Sequence, residues 1–314
     1  KTGGFVCRSG RGGRMKKAII SLPTFLCVIL LILVALPGKR PANACGMFLA
    51  TIFLMEGIWI FQCLRKGVST ATQDILSLLY GALIFWEIMT TKLDLAHQVL
   101  VPPPEAVFQA FYTQRALMLK GIFSSLELLF LGMVLGLSLG MGLGMLVGWV
   151  PRAKAMFFPV ARVISPIPPI IYTPYIVALM PTFRSASVVV VVLGIFWPTF
   201  MNTILRVTSM EEKLLDSSRA LCPSTWTMIS KILFPYVWPG VIRNLRVMLS
   251  TSFLILTMAE MMGASSGMGY FIKNYSDYAN YTNVVAGIIL VGIVVTVLNQ
   301  GIGFWENKLI KWRN

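Results

Sequence analysis

Histidine, acidic side chains and paired cysteines are scarce in this chain, and each shortage removes a class of chemistry. The 314 residues hold a single histidine, His97, and 12 Asp and Glu together. Five cysteines, Cys7, Cys27, Cys45, Cys63 and Cys222, form no CxxC pair and have no histidine at ligand spacing, so metal and Cys/His chemistry lack material. Cys27 and Cys63 sit in or beside apolar runs, where cysteine packs as a small hydrophobe. No GxxxxGK(S/T) run is present, so the chain carries no phosphate loop. An intramembrane enzyme would need a nucleophile with a base or a metal set, which a lone His97 does not supply. Charge is short too. At 12% charged, against roughly 25% in soluble domains, the chain lacks the polar surface to face water all round.

What it has in excess is apolar sequence: 56% hydrophobic residues and a mean hydropathy of +0.76. Apolar runs fall at about 18–37, 46–63, 75–91, 122–148, 162–180, 187–205, 241–261 and 284–305. Runs of about 20 residues match the roughly 30 Å hydrocarbon core of a bilayer. The short alternating segments of a membrane β-barrel are missing. The reading is an all-α, multi-pass membrane protein.

The net charge of +15 fits the same reading. No basic run is interleaved with aromatics as a single-strand nucleic-acid groove requires, so nucleic acid is not an expected partner. Threaded with its N-terminus inside, the chain leaves seven of 27 Lys and Arg outside: Lys39, Arg40, Lys92, Arg115, Lys120, Arg184 and Lys273. The opposite threading inverts that ratio, so the positive-inside rule puts both termini in the cytoplasm.

Residues 1–17 read as a basic, glycine-rich, disordered leader, with Met15 the expected start. Residues 18–70 read as an extra transmembrane hairpin. Leu36-Pro37-Gly38 is a poor cleavage site, which favours a retained first helix over a signal peptide. Glu56 falls mid-span, where an ionised carboxylate is costly. Packing within the hairpin is preferred there to a substrate or proton site. Pro102-Pro103-Pro104 ends any helix before it, and Glu105–Leu119 reads as an amphipathic helix on the outer surface. Asp94 and His97, just upstream, read as solvated.

Two features of the long spans stand out. Gly132, Gly136, Gly140, Gly144 and Gly148 recur every fourth residue, a stripe that lets another backbone approach closely. Packing inside the subunit and a dimer or pore seam both remain open readings. Further on, Pro166, Pro168, Pro169 and Pro174 cannot all sit in a regular helix, so the span near 165–175 is expected to break. Broken backbone at membrane depth survives only when buried in protein or lining a wet cavity. That makes Pro166, Pro168, Pro169 and Tyr172 pathway candidates. Glu260, beside the glycine-rich turn GASSGMG, either lines the pathway or holds the turn, and the second reading is preferred because a bare carboxylate repels an anion. Arg243 and Arg246 read as interface anchors rather than an anion site.

Glu211–Gly240 is the longest polar interval between strongly apolar segments. Glu211–Leu221 reads as a short helix with acidic residues in its first turn. After Cys222-Pro223, Ser224 caps a second helix expected to run through Ile232 and end at Pro235. Asp216-Ser217-Ser218-Arg219-Ala220-Leu221-Cys222, followed by Ile232-Leu233-Phe234-Pro235, resembles the EAA loop of ABC-importer permeases. Ala259–Tyr270, Trp86-Glu87, the run Pro102–Pro104 and Pro166-x-Pro168-Pro169 are similar to the nitrate/sulfonate/taurine branch of that family. Asp216 stands for the motif's Glu, Ser217 and Ser218 for its alanines, and Cys222 for its glycine. Pro223 pushes Cys222 toward extended backbone, which keeps a break between the two helices.

The resemblance implies a type I permease core of six helices in residues 71–314, preceded by the two extra spans, with a coupling loop at 206–240. It implies two copies of the permease in a bacterial inner membrane, cytosolic ABC ATPases docked under the loops, and a periplasmic or lipid-anchored substrate-binding protein. The chain itself would hold no cofactor, ATP and Mg being bound by the ATPase. The implied cargo is a small anionic solute. A secondary transporter driven by ions or protons is the competing class. It predicts charges deep in several spans, and only Glu56 is clearly so placed.

Overall fold

In the computed structural model, which describes residues 21–40, 45–66, 69–211 and 224–309, helix follows helix and no strand occurs among those residues. The leader 1–17 and the loop residues Asp216–Cys222 lie outside the described residues. Every apolar run becomes helical: α1 (Leu22–Ala35), α2 (Gly46–Lys66), α3 (Thr70–Lys92), α5 (Arg115–Trp149), α6 and α7 (Pro151–Ile164, Pro169–Leu179), α8 (Phe183–Thr208), α9 (Thr225–Met261) and α11 (Tyr281–Leu309). Short helices α4 (Pro104–Thr113) and α10 (Met268–Asp277) complete the series.

Six of these, α2, α3, α5, α8, α9 and α11, are long and apolar enough to cross a membrane, and the bent pair α6–α7 forms a seventh span. With 14 residues, α1 is shorter. The fold is therefore all-α and membrane-spanning: six core spans from α3 onward, with two extra helices ahead of them.

Two compact units divide the chain, residues 1–115 with 275–286 and residues 116–274 with 287–314. Within the first, α1 packs on α3 and α2 on α4. Leu30, Phe48, Ile52 and Tyr80 are fully buried there, and Phe48 stacks on Phe108 of α4 at 5.1 Å between ring centres. Glu56 receives hydrogen bonds from the Thr24 hydroxyl at 2.8 Å and the Tyr80 hydroxyl at 3.0 Å. One donor comes from α1 and one from α3, so this mid-span carboxylate ties the hairpin to the next helix.

The segment after α3 corrects two expectations. Asp94 is not merely solvated: the Arg40 guanidinium pairs with it and also donates to the carbonyls of Ala96 and Val101. Hydrogen bonds from Arg40 and Gln98 hold the Asp94 carboxyl below its usual range. Four of the cations expected outside thus have local acceptors. Lys39 donates to Leu93, Lys92 to Leu36, and Arg184 pairs with Glu127 in the other unit. The expected surface helix Glu105–Leu119 is also wrong. α4 ends at Thr113, and Ala116–Leu119 belong to α5. Glu105, Val107 and Ala110 are buried because α4 packs against α2 instead of lying free.

In the second unit α8 is the central helix, packed by α6, α7 and α9 and by the glycine stripe of α5. A β-carbon built on Gly132 would lie 2.6 Å from Val191 Cγ1, and one on Gly136 2.9 Å from Ile195 Cβ. Gly144 and Gly148 face Thr203 and Val207 in the same way, at 2.7 and 2.9 Å. Numbers on both helices rise together, so α5 and α8 run parallel. Two parallel neighbours start on one side of the membrane, which requires the intervening α6–α7 to carry the chain back across. The bent pair is therefore a broken span rather than a re-entrant loop.

Candidate functional site

The break in that span is built by prolines and seated by a glycine. Val150 precedes α6 and Pro151 opens it; Pro168 precedes α7 and Pro169 opens it, each proline at a first-turn position where its missing N–H costs nothing. α6 and α7 meet at 97° across residues 165–168. Helix α7 is held by Gly194 of α8, where a β-carbon would lie 3.1 Å from the Pro169 ring and 2.8 Å from Ile255. The Thr173 hydroxyl, fully buried, donates to the Pro169 carbonyl at 2.8 Å and serves one acceptor of the irregular first turn. Pro166 and Pro168 are exposed. Tyr172 is half-buried against the cluster Ile176, Ala186, Val190, Ile255 and Ala259.

Glu260 lies at the end of α9 and is 1% exposed. Its two oxygens accept from Ser125 Oγ at 2.6 Å and from the Gly269 amide at 2.8 Å, while Ser125 Oγ accepts from the Met268 amide at 2.9 Å. Two otherwise orphaned amides at the start of α10 are thereby bound. Gly263 and Gly267 have φ of +150° and +127°, and a side chain on Gly267 would collide with the Glu260 carboxyl. The turn is wrapped around its own acid. This geometry holds backbone in place and leaves no free carboxylate oxygen for a passing solute.

A second buried acid site lies in the first unit. Glu87 and Glu105, 0% and 2% exposed, both face the Thr91 hydroxyl at 3.3 Å, and Lys92 Nζ stands 3.4 Å from Glu87 Oε1. A hydroxyl has one hydrogen and cannot serve both carboxylates. Glu105 Oε1 has no hydrogen-bond partner. The last turn of α3, Ile88–Lys92, is a wide π turn that places Thr90 and Thr91 inside.

Of the expected coupling loop, Asp216, Ser217, Ser218, Arg219, Ala220, Leu221 and Cys222 lie outside the described residues, while Ile232 and Pro235 are described. Ser224 does cap a helix, accepting from the Thr227 amide at 3.3 Å. That helix does not end at Pro235. It widens into a π turn at Met228–Leu233, where the Phe234 amide bonds to Ile229, and continues to Met261. The wide turn removes the clash between a proline ring and the carbonyl one turn earlier, so Pro235 is passed rather than obeyed. Ile232 packs against Met228, Leu233, Val237 and Val241, and Pro235 is exposed. Arg243 is exposed, whereas the Arg246 guanidinium lies directly on Gly303 of α11.

Sequence reading missed the partner of the glycine stripe. Val191, Ile195, Thr199, Thr203 and Val207 are β-branched at the same four-residue spacing, a signal visible in α8 once both periods are compared. It also missed Ser125, which has no local mark.

Residues 120–308 match the family described as the binding-protein-dependent transport system inner membrane component. The chain is 29% identical over 234 residues to the putative aliphatic sulfonates transport permease protein SsuC of Bacillus subtilis, covering 73% of this chain and 83% of that one. It is 22% identical to the taurine transport system permease protein TauC of Escherichia coli, over 73% and 85% of the two chains. To the nitrate import permease protein NrtB of Leptolyngbya laminosa it is 24% identical, over 88% and 91%. Among solved structures it is similar to the MetNI methionine ABC transporter in inward-facing conformations, at 20% identity, 60% and 98% coverage and a TM-score of 0.46. Its helices, its broken span and the match across residues 120–308 agree: this chain belongs to the family of binding-protein-dependent transport system inner membrane components, the permease subunits of ABC importers.

Proposed function

We propose that this permease carries a small sulfonate-, taurine- or nitrate-like anion inward, in a bacterial inner membrane with both termini in the cytoplasm. The observation that carries the reading is the similarity, over about three quarters of the chain or more, to permeases named for sulfonates, taurine and nitrate. Two copies form the pathway, and the break at Pro166, Pro168 and Pro169 with Tyr172 lines it. Glu260 positions the turn beside that pathway. A cytosolic ATPase, holding ATP and Mg, docks on residues 211–235, and a substrate-binding protein delivers solute to the outer face. Closure of the ATPase pair moves the loop and rocks the helices between inward- and outward-facing forms.

Coupling is tested by pull-down of the tagged chain from mild detergent, with and without Asp216–Cys222. An ATPase that copurifies with the intact chain and is lost on deletion supports the reading. A folded, monodisperse chain that never brings down an ATPase sinks it. Growth on nitrate, taurine or an alkanesulfonate as sole nitrogen or sulfur source, in cells with and without the chain, then sorts the cargo.

A further inference from the structure

The nine residues between α3 and the proline run, Leu93–Val101, form a loop turned inside out. Six of the nine are apolar, in the sequence LDLAHQVLV. Their aliphatic side chains face outward. Leu95 is 68% exposed, Val99 53% and Leu100 51%, and Leu93 and Val101 are exposed as well. The polar groups turn inward instead. Asp94 pairs with Arg40 and accepts from the Gln98 amide at 3.0 Å, so three polar side chains serve one another. His97 Nδ1 accepts from the backbone amides of Val99 and Leu100 at 3.3 and 3.4 Å.

The backbone is closed on itself in the same way. The amides of Leu95 and Ala96 both donate to the Met89 carbonyl, and the Val101 amide donates to the His97 carbonyl. Leu93 donates to Ile88 and accepts from Lys39. The Arg40 guanidinium gathers the carbonyls of Ala96 and Val101, and Trp86 Nε1 serves that of Pro102 at 3.0 Å. In water such closure is unnecessary, because solvent serves exposed amides and carbonyls. In lipid it is required.

A rigid group of outward aliphatic side chains marks contact with a protein or a membrane. The choice falls on the membrane. Protein contacts are anchored chiefly by Trp, Tyr and Arg, whereas the outward apolar side chains here are Leu and Val alone. The loop also carries apolar exposure on past the end of a span, since Leu78 and Phe85 of α3 are exposed as lipid-facing side chains are. Lys39 and Lys92 stand at its base, with long stems suited to holding a cation at headgroup level.

We propose that Leu93–Val101 dips into the leaflet where α3 ends, with Leu95, Val99 and Leu100 at the boundary of headgroups and acyl chains. Arg40 is its frame. That residue follows α1, so the extra N-terminal helices supply the group that keeps the loop's polar atoms turned away from lipid. The inference holds whichever solute the permease carries.

The test uses the full chain in vesicles of phosphatidylethanolamine and phosphatidylglycerol. Leu95→Cys and Leu100→Cys, both at exposed positions, are each labelled with a bimane fluorophore. The unsubstituted chain, labelled in parallel, gives the background from the native cysteines. Lipids brominated on their acyl chains quench from within the bilayer, and iodide on both sides quenches from water. At both positions the label is expected to lose most of its fluorescence in brominated vesicles and little to iodide. Unaltered melting shows that the labelled chains are folded. Arg40→Gln, added to Leu100→Cys, is expected to shift quenching toward iodide, because freed carbonyls draw the loop into water. Strong iodide quenching without loss in brominated vesicles overturns the proposal and leaves the loop to a partner protein. Protection from both quenchers overturns it too. Unchanged quenching in a folded Arg40→Gln chain overturns the role given to Arg40.

Discussion

Gly144 of α5 lies against Thr203 of α8 so closely that an added methyl would sit 2.7 Å from the threonine β-carbon. The same relation repeats one turn at a time along both helices, glycine against a β-branched side chain. Without a hydrophobic drive between helices in lipid, close backbone approach of this kind supplies the packing. Because the paired helices are parallel, this seam also fixes the direction of the broken span between them.

Gly144→Ala is accordingly expected to destabilise the chain by about 1–3 kcal/mol, the range for overpacking a filled interior. Gly142, on the same helix, has nothing within 4 Å of its would-be β-carbon. Gly142→Ala should leave the melting temperature in detergent unchanged or slightly raised. Equal melting of the two variants would show that the seam does not bear on stability.

Glu260→Gln should loosen the turn after α9. The amide side chain can present only one acceptor oxygen where two donors, Ser125 Oγ and the Gly269 amide, now meet the carboxylate. A cost of about 1–3 kcal/mol is expected. Hydrogen exchange at Met268 and Gly269 is the readout. Glu260→Gln should speed Gly269, and Ser125→Ala should speed Met268, whose amide it serves.

The pair Glu87 and Glu105 predicts an asymmetry. Two buried acids compete for one hydroxyl, and Lys92 stands beside Glu87. Glu105→Gln removes a like charge and should be neutral or stabilising, whereas Lys92→Met leaves the acids uncompensated and should cost about 1–3 kcal/mol. Melting curves in one detergent compare them directly; if Glu105→Gln proves the more damaging, the two acids are not in competition.

Asp94 gives a pH dependence of defined sign. Its carboxyl is held below the ordinary range by Arg40 and Gln98, so the folded state favours the ionised form. The contribution is fully present above the usual carboxylate range and is lost as pH falls through the depressed value. Wild type should lose melting temperature between about pH 5 and pH 3 faster than Asp94→Asn does. The two curves should converge at the acid end.

How much of this was written in the sequence depends on whether the signal was local. Four prolines between 166 and 174 announced a broken span, since each removes a backbone donor wherever it sits. The glycine period announced a close seam but not its partner, which lies some 59 positions on and shows only when Gly132 is set beside Val191. Pro235 misled because a proline ends a regular helix, and nothing in the residues 228–233 marks them as a wide turn. Asp94 looked solvated because its cation, Arg40, is 54 residues away. Local chemistry was legible; pairings at long sequence distance were not.

Helix α9 has 37 residues and so runs about 55 Å, far beyond the hydrocarbon thickness. Mechanically it is a lever. One end is the Ser224-capped turn; the other carries Glu260 and the turn wrapped around it. A displacement applied at Thr225 either swings the whole rod or is absorbed at Met228–Leu233, where the hydrogen-bond register already changes. That wide turn acts as a wrist near the handle. Its stiffness sets how much of a push at one face of the membrane arrives at the other.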